Sequence, residues 1–191
     1  GWKVDVDWDG DGVFEGGNED VSDDVQEITI TRGRDAELER VTPGSCELVL
    51  RNDTGKYSPA RTDGPLYGNL VEARKMRVRS VNPVAKSHFI GYIEDIIPNP
   101  NPMEQTCYIR AVDGSAQVLG VKKVRTALFQ NFTATILSGD ILNRLGWPVP
   151  DRALDTGQTT VPYWSVHDQN ALDAIQDLEE AEMGLAYIRG D

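Results

Sequence analysis

The chain has 191 residues, 39% hydrophobic and 26% charged, with a formal charge of −12. That length suits one or two domains whose core needs no disulfide or metal staple, and the composition excludes a disordered polymer. No apolar run approaches the roughly 18–20 residues of a membrane span, no leader-like stretch opens the sequence, and the acidic balance argues against a dedicated DNA-binding protein.

The first strand is read from Trp2, Val4, Val6 and Trp8, which alternate with Lys3, Asp5 and Asp7 in the period of a half-buried strand. An Asp- and Gly-rich loop follows through residue 24. A second strand spans 25–33, with Ile28 and Ile30 on one face. A third spans 45–52, where Cys46, Leu48 and Leu50 share a face. Asn52-Asp53-Thr54-Gly55 is a turn, and the chain stays irregular past Pro59, Gly64, Pro65 and Gly68. Strands resume at 74–81, 87–97 and 106–112. The Pro- and Asn-rich run 98–102 makes an extended hairpin loop between the last two. Cys46 and Cys107 stand on apolar strand faces, which predicts reduced, buried thiols rather than a disulfide.

After about residue 120 the pattern changes. Ile136, Leu137, Ile141, Leu142 and Leu145 recur at helical spacing over 133–145, with Gly146 and Pro148 as stop signals. A connection rich in Pro, Gly and Thr leads to a second helix over 168–182. Ala171, Leu172, Ile175 and Leu178 form its buried stripe, and Gly184 ends it. A last strand is expected at 185–188. The fold class is therefore mainly β with a smaller α+β part: a barrel or sandwich domain over 1–120, then an α+β segment over 121–191.

Charge is unevenly distributed. Residues 1–40 hold 13 acids and 4 bases, residues 51–127 hold 12 bases and 7 acids, and residues 128–191 hold 3 bases and 10 acids. Opposed blocks of this kind can meet within one chain or between copies, or can stay solvated.

The sharpest local signal is the loop Asp7-Trp8-Asp9-Gly10-Asp11-Gly12-Val13-Phe14-Glu15. Carboxylates at loop positions 1, 3, 5 and 9, with a glycine at 6 and the Val13 carbonyl at 7, suit a hard cation such as Ca2+. Position 12 is Asn18 rather than a bidentate Glu, and no helices flank the loop, so it is not an EF-hand. The alternative is an Asp/Gly turn with solvated carboxylates. Lys75, Arg77 and Arg79 alternate with Met76 and Val78, so three cations project from one strand face. That face is a solvated surface, a subunit contact or a nucleic-acid contact. His88 and His167 lack the spacing of a transition-metal site. No nucleophile elbow, phosphate loop or dinucleotide fingerprint appears, so no enzymatic activity is expected.

Several segments in order carry a family resemblance. They are Val4-Asp5-Val6-Asp7-Trp8-Asp9-Gly10-Asp11-Gly12, Thr31-Arg32-Gly33-Arg34-Asp35, Leu50-Arg51-Asn52-Asp53-Thr54-Gly55-Lys56-Tyr57-Ser58-Pro59, and Pro65-Leu66-Tyr67-Gly68-Asn69-Leu70. Gly91-Tyr92-Ile93-Glu94-Asp95-Ile96, Tyr163-Trp164, Ala171-Leu172-Asp173-Ala174-Ile175 and Glu180-Ala181-Glu182-Met183-Gly184 follow. The set resembles the tail-tip minor tail proteins of long-tailed bacteriophages (siphoviruses) and prophages, of the tail-hub or distal-tail type. The resemblance implies a domain like the tail-tube subunit and a structural, ring-forming role as trimer or hexamer. It implies contacts with the tail tube, the tape-measure protein and the fibres or receptor-binding proteins, with DNA at most passing through the lumen. It places the protein in the virion, assembled in the host bacterial cytoplasm. It also implies that 121–191 is part of an incomplete second domain. On this reading Lys75, Arg77 and Arg79 lie at a subunit contact. A calcium-dependent receptor- or carbohydrate-binding module at the tail tip is the alternative, with Asp7, Asp9, Asp11, Val13 and Glu15 as its Ca2+ ligands.

Overall fold

The computed structural model describes residues 1–33, 42–101, 103–114 and 118–184. The strand expected at 185–188, Pro102, and Arg34 and Asp35 lie outside them. The chain divides into a first unit of residues 1–33 and 43–114 and a second that holds residues 118–184.

Six strands build the first unit: β1 (Trp2–Val6), β2 (Val25–Gly33), β3 (Thr42–Arg51), β4 (Lys75–Ser80), β5 (Lys86–Pro98) and β6 (Thr106–Val112). Their spatial order is β1-β4-β5-β6-β3-β2, in a sheet curled into a half-barrel with β1 and β2 at its edges. The period-two reading holds in the middle of the sheet. Cys46, Leu48 and Leu50 of β3 and Cys107, Ile109 and Ala111 of β6 all face the core. Both cysteines are buried without a disulfide, and burial pushes the Cys107 thiol up to about 12. β5 and β6 form the expected long hairpin. Gly91 in β5 is obligatory: a Cβ there would run into the Val112 carbonyl oxygen and the Phe89 ring.

The irregular stretch after β3 closes over this core. Asn52 turns the chain by accepting the Tyr57 N–H at 2.9 Å through its side-chain oxygen and the Gly55 N–H at 2.9 Å through its carbonyl. Tyr57 is thereby inserted, fully buried, with Leu66 and Leu70 beside it in the core, and its hydroxyl donates to Asp24 at 2.7 Å.

β1 departs from the half-buried reading. Val4, Val6 and Trp8 are buried as expected, but Trp2 is 56% exposed. The alternate residues Asp5 and Asp7 are each only 2% exposed. Asp5 is opposite Arg77 in the β1–β4 register. Its Oδ2 accepts from Arg77 Nη2 at 2.8 Å and from Arg79 Nε at 3.2 Å. Lys3 stands 3.8 Å from Asp5 and 3.1 Å from Asp20. Both faces of the strand are covered because the neighbouring strand brings cations to the acidic side.

The second unit contains β7 (Lys123–Arg125), β8 (Phe129–Thr133), α1 (Ala134–Leu145), β9 (Thr160–Trp164), β10 (His167–Asn170) and α2 (Ala171–Glu182). β7 pairs with β10 and β8 with β9. α1 ends as expected. Gly146 is left-handed, its N–H bonds the Asn143 carbonyl, and Trp147 N–H bonds Leu142. Ile136 is exposed while Leu137 and Ile141 are buried, so the apolar stripe is narrower than the sequence suggests. α2 starts three residues later than expected. His167–Asn170 is strand, because it finds a partner in β7, and Asn170 caps the helix by accepting the Asp173 N–H at 2.8 Å. The left-handed residue that closes α2 is Met183, not Gly184. The connection read between the helices contains β9, a strand interrupted by Pro162 and paired at a two-stranded edge where a missing N–H is tolerated.

Asp5→Ala should lower the free energy of urea unfolding by about 3 kcal/mol, because it strands two guanidinium groups on a covered face. A loss below about 1 kcal/mol would reduce the cluster to the weight of exposed pairs.

Candidate functional site

The acidic loop leaves β1 with its direction already set. Asp7 N–H donates to the Lys75 carbonyl at 2.9 Å, extending the β1–β4 pairing by one residue. The chain then wraps around the buried Asp7 carboxylate. One oxygen accepts Gly10 N–H at 2.7 Å and the other accepts Gly12 N–H at 2.9 Å. Gly10 and Gly12 take φ of 81° and 88°, which residues with a Cβ seldom adopt. Asp9 accepts from Asp11 N–H at 3.2 Å, and Asp11 accepts from Val13 N–H at 2.8 Å. The result is a ladder of side-chain-to-backbone turns in which Asp7 is buried while Asp9 and Asp11 stay exposed.

One oxygen from each of Asp7, Asp9 and Asp11 lies within 4.8 Å of the others. Oxygens that share a Ca2+ ion at about 2.3–2.6 Å must lie within about 5 Å of one another, so these three satisfy that limit. Of the remaining expected ligands, Val13 has an exposed side chain and spends its N–H on Asp11. Glu15 is exposed and is not part of the converging set.

Glu19 is the acid that the sequence reading missed. It is 8% exposed and accepts the Glu15 N–H at 2.7 Å. Burial raises its carboxyl above the ordinary value, the Glu15 N–H opposes this, and the charges of Asp9, Asp7 and Asp11 add to the rise. Glu19 is held there because the residues after it dock back on β1. Asp20 bridges Asp5, Val21 N–H donates to the Val4 carbonyl at 3.0 Å, and Ser22 Oγ accepts the Val4 N–H at 3.0 Å. It occupies loop position 13, one past the place where an EF-hand template looks for its last ligand. The Asp20-Val21-Ser22 return is the only sequence signal that could have marked it.

The basic strand face lies beside this loop. Met76 and Val78 are buried and Lys75, Arg77 and Arg79 project from the other side, as the alternation predicts. Arg77 and Arg79 are bound to Asp5 of the same chain, and the Arg77 guanidinium also stacks over the Phe14 ring at 4.3 Å. Arg77 therefore ties the acidic loop to the sheet. Among the described residues, no carboxylate lies within ion-pair distance of Lys75.

No family model matches the sequence, and no curated protein matches it significantly. Solved structures do. A 43 kDa tail protein of prophage MuSo2 from Shewanella oneidensis superposes with a TM-score of 0.58 at 16% identity, over 93% of this chain and 48% of that one. The chain has the fold of a phage tail protein. Tail-protein folds also match in Escherichia coli c3393, a component of the type VI secretion system described as similar to the T4 tail proteins gp27 and gp5. There the TM-score is 0.56 at 14% identity, over 93% of this chain and 42% of that one. A tail protein of Neisseria meningitidis MC58 matches with a TM-score of 0.52 at 10% identity, over 95% of this chain and 44% of that one. The chain thus spans less than half the length of each of these tail proteins.

The Glu19 environment has a direct pH consequence. With its folded value raised, Glu19 loses its proton first in the unfolded chain, so stability falls as pH rises from about 4.5 through the folded value. Glu19→Gln should therefore raise the melting temperature at pH 7 in chelator and change little at pH 4, where the carboxyl is protonated in both states. An equal gain at both pH values would show that ionisation of the Glu19 carboxyl is not the cause.

Proposed function

We propose that the chain is a structural component of a phage tail: a ring-forming subunit of the tail tip, of the tail-hub or distal-tail type, that joins the tail tube to the baseplate or fibres. The observation that carries this reading is a tail-protein fold matched over 93% of the chain. In this reading residues 1–120 form the barrel domain that faces its neighbours in the ring, and residues 121–191 contribute to a second domain. The partners are copies of the chain in a trimer or hexamer, the tail tube, the tape-measure protein and fibre or receptor-binding proteins, within the virion assembled in the host cytoplasm.

Lys75, Arg77 and Arg79 are the proposed subunit contact, with unequal parts. Arg77 and Arg79 are committed to Asp5, so they shape the face. Lys75 is the cation left to meet a neighbour's carboxylate. Negative-stain images and sedimentation velocity of the purified chain should show closed rings of three or six. Lys75→Glu should leave the melting temperature unchanged and slow ring formation most at low salt, where charge steers encounter. A folded chain that stays monomeric at every concentration would overturn the ring.

A second reading is supported by the convergence of Asp7, Asp9 and Asp11: a calcium-dependent receptor- or carbohydrate-binding module at the tail tip. Asp7, Asp9 and Asp11 would hold the ion, with the Val13 carbonyl and Glu15 completing the set. Ca2+ at a hundredfold excess over Kd should then stabilise the fold by about 2.7 kcal/mol, and Asp9→Ala with Asp11→Ala should abolish the gain. Identical melting in Ca2+ and in chelator would leave the loop as a hydrogen-bonded turn.

A further inference from the structure

The second unit carries a basic groove that neither the acidic loop nor the half-barrel accounts for. It has a volume of about 470 Å³ and is lined by Lys122, Lys123, Val124, Arg125, Arg144 and Leu145. Residues 118–184 hold 9 acids and 5 bases, and 4 of those 5 bases line this one groove. The strand period explains part of the gathering. Val124 is buried, so Lys123 and Arg125, its neighbours in β7, project together from the opposite side and are exposed. Arg144 comes from the last turn of α1 and is paired with Asp140 at 2.6 Å. Arg125 donates to the His167 ring, its Nε lying 3.2 Å from Nδ1. Among the described residues, no carboxylate lies within ion-pair distance of Lys122, Lys123 or Arg125. Like charges gathered without counter-ions repel one another, so the groove gains from an anionic occupant.

Its size and its floor select that occupant. A groove of this volume takes several side chains, more than a single inorganic anion fills. Val124 and Leu145 place aliphatic carbon between the cations, which an apolar side chain covers and an ionic group does not. Single-stranded nucleic acid is held on aromatic stacking platforms along a basic track, whereas no aromatic ring lines this groove among the described residues. The chain's charge of −12 also repels a polyanion.

We infer that the groove binds an acidic peptide segment of a partner protein, in which an aliphatic residue stands between carboxylates. The aliphatic side chain lies on Val124 and Leu145, and the flanking carboxylates meet Lys122, Lys123 and Arg125. Arg144, already held by Asp140, borders the groove and adds less. Exposed ion pairs contribute little one by one, so the contact is weak and salt-sensitive, and the apolar anchor supplies the discrimination among acidic segments. The inference goes beyond the ring-forming reading: it concerns the second unit alone and holds whether or not the chain closes rings.

The test is fluorescence anisotropy with the full chain and two labelled peptides of equal charge, Asp-Glu-Leu-Glu-Asp and Asp-Glu-Ser-Glu-Asp, with circular dichroism and melting as checks of folding. At low salt the Leu peptide should bind, several times more tightly than the Ser peptide, and added salt should weaken both. Lys122→Glu with Lys123→Glu should raise the Kd of the Leu peptide by about tenfold. Lys86→Glu with Arg110→Glu, the same charge change on exposed residues of the first unit, should have a much smaller effect. No binding of the Leu peptide at low salt, or an equal loss from the two double variants, would overturn the site. Equal affinity for the two peptides would overturn it in favour of a small-anion site. Tighter binding of a labelled single-stranded oligonucleotide, removed by Lys122→Glu with Lys123→Glu, would overturn it in favour of nucleic acid. The ring itself is decided separately by sedimentation, so failure of this site and failure of the ring are distinguishable.

Discussion

The Asp5 carboxylate, buried between two arginines of the adjacent strand, is the interaction on which the first unit depends. β1 is an edge strand of five residues, too short to be held by its backbone ladder alone. Its apolar side packs Val4 and Val6 into the core, and its polar side places a charge where water cannot reach. A buried carboxylate is costly unless it is paired and hydrogen-bonded. Arg77 and Arg79 supply that pairing, and Lys3 carries the network on to Asp20. The outer edge of β1 is blunted at the same time, because the 20–22 segment takes the backbone groups of Val4.

That arrangement organises the acidic loop at both ends. The loop leaves from Asp7, which is still hydrogen-bonded to β4, and returns at Asp20, which bridges Asp5. With the ends fixed, the Asp7 carboxylate acts as the internal post around which Gly10 and Gly12 turn. Burial raises the Glu19 carboxyl above its ordinary value, and the charges of Asp9, Asp7 and Asp11 add to the rise.

Charge is used in two different ways along this chain. In the first unit, opposite charges meet at short range and become structural. In the acidic loop, like charges are held together by backbone donors.

The sequence by itself determined the parity of the central strands, the long β5–β6 hairpin, the turn at Asn52–Gly55, the buried thiols and the first helix with its Gly146 stop. These depend on period and on local turn chemistry, which neighbouring residues specify. The candidate site was legible as far as Asp7, Asp9 and Asp11, whose spacing alone brings their oxygens together. Tertiary structure decided the rest. Alternation marks Asp5 and Asp7 as outward-facing, yet both are buried, because the partners of Asp5 lie 72 and 74 residues away. Glu19 joins the cluster only because the chain after it docks on β1. β7 to β10 are three to five residues long, too short to show a period, and His167–Asn170 is strand only through its pairing with β7, 42 residues earlier at His167 and Arg125. Local pattern sets which way a residue points along its own segment, but which charges and edges it meets is decided by contacts remote in sequence.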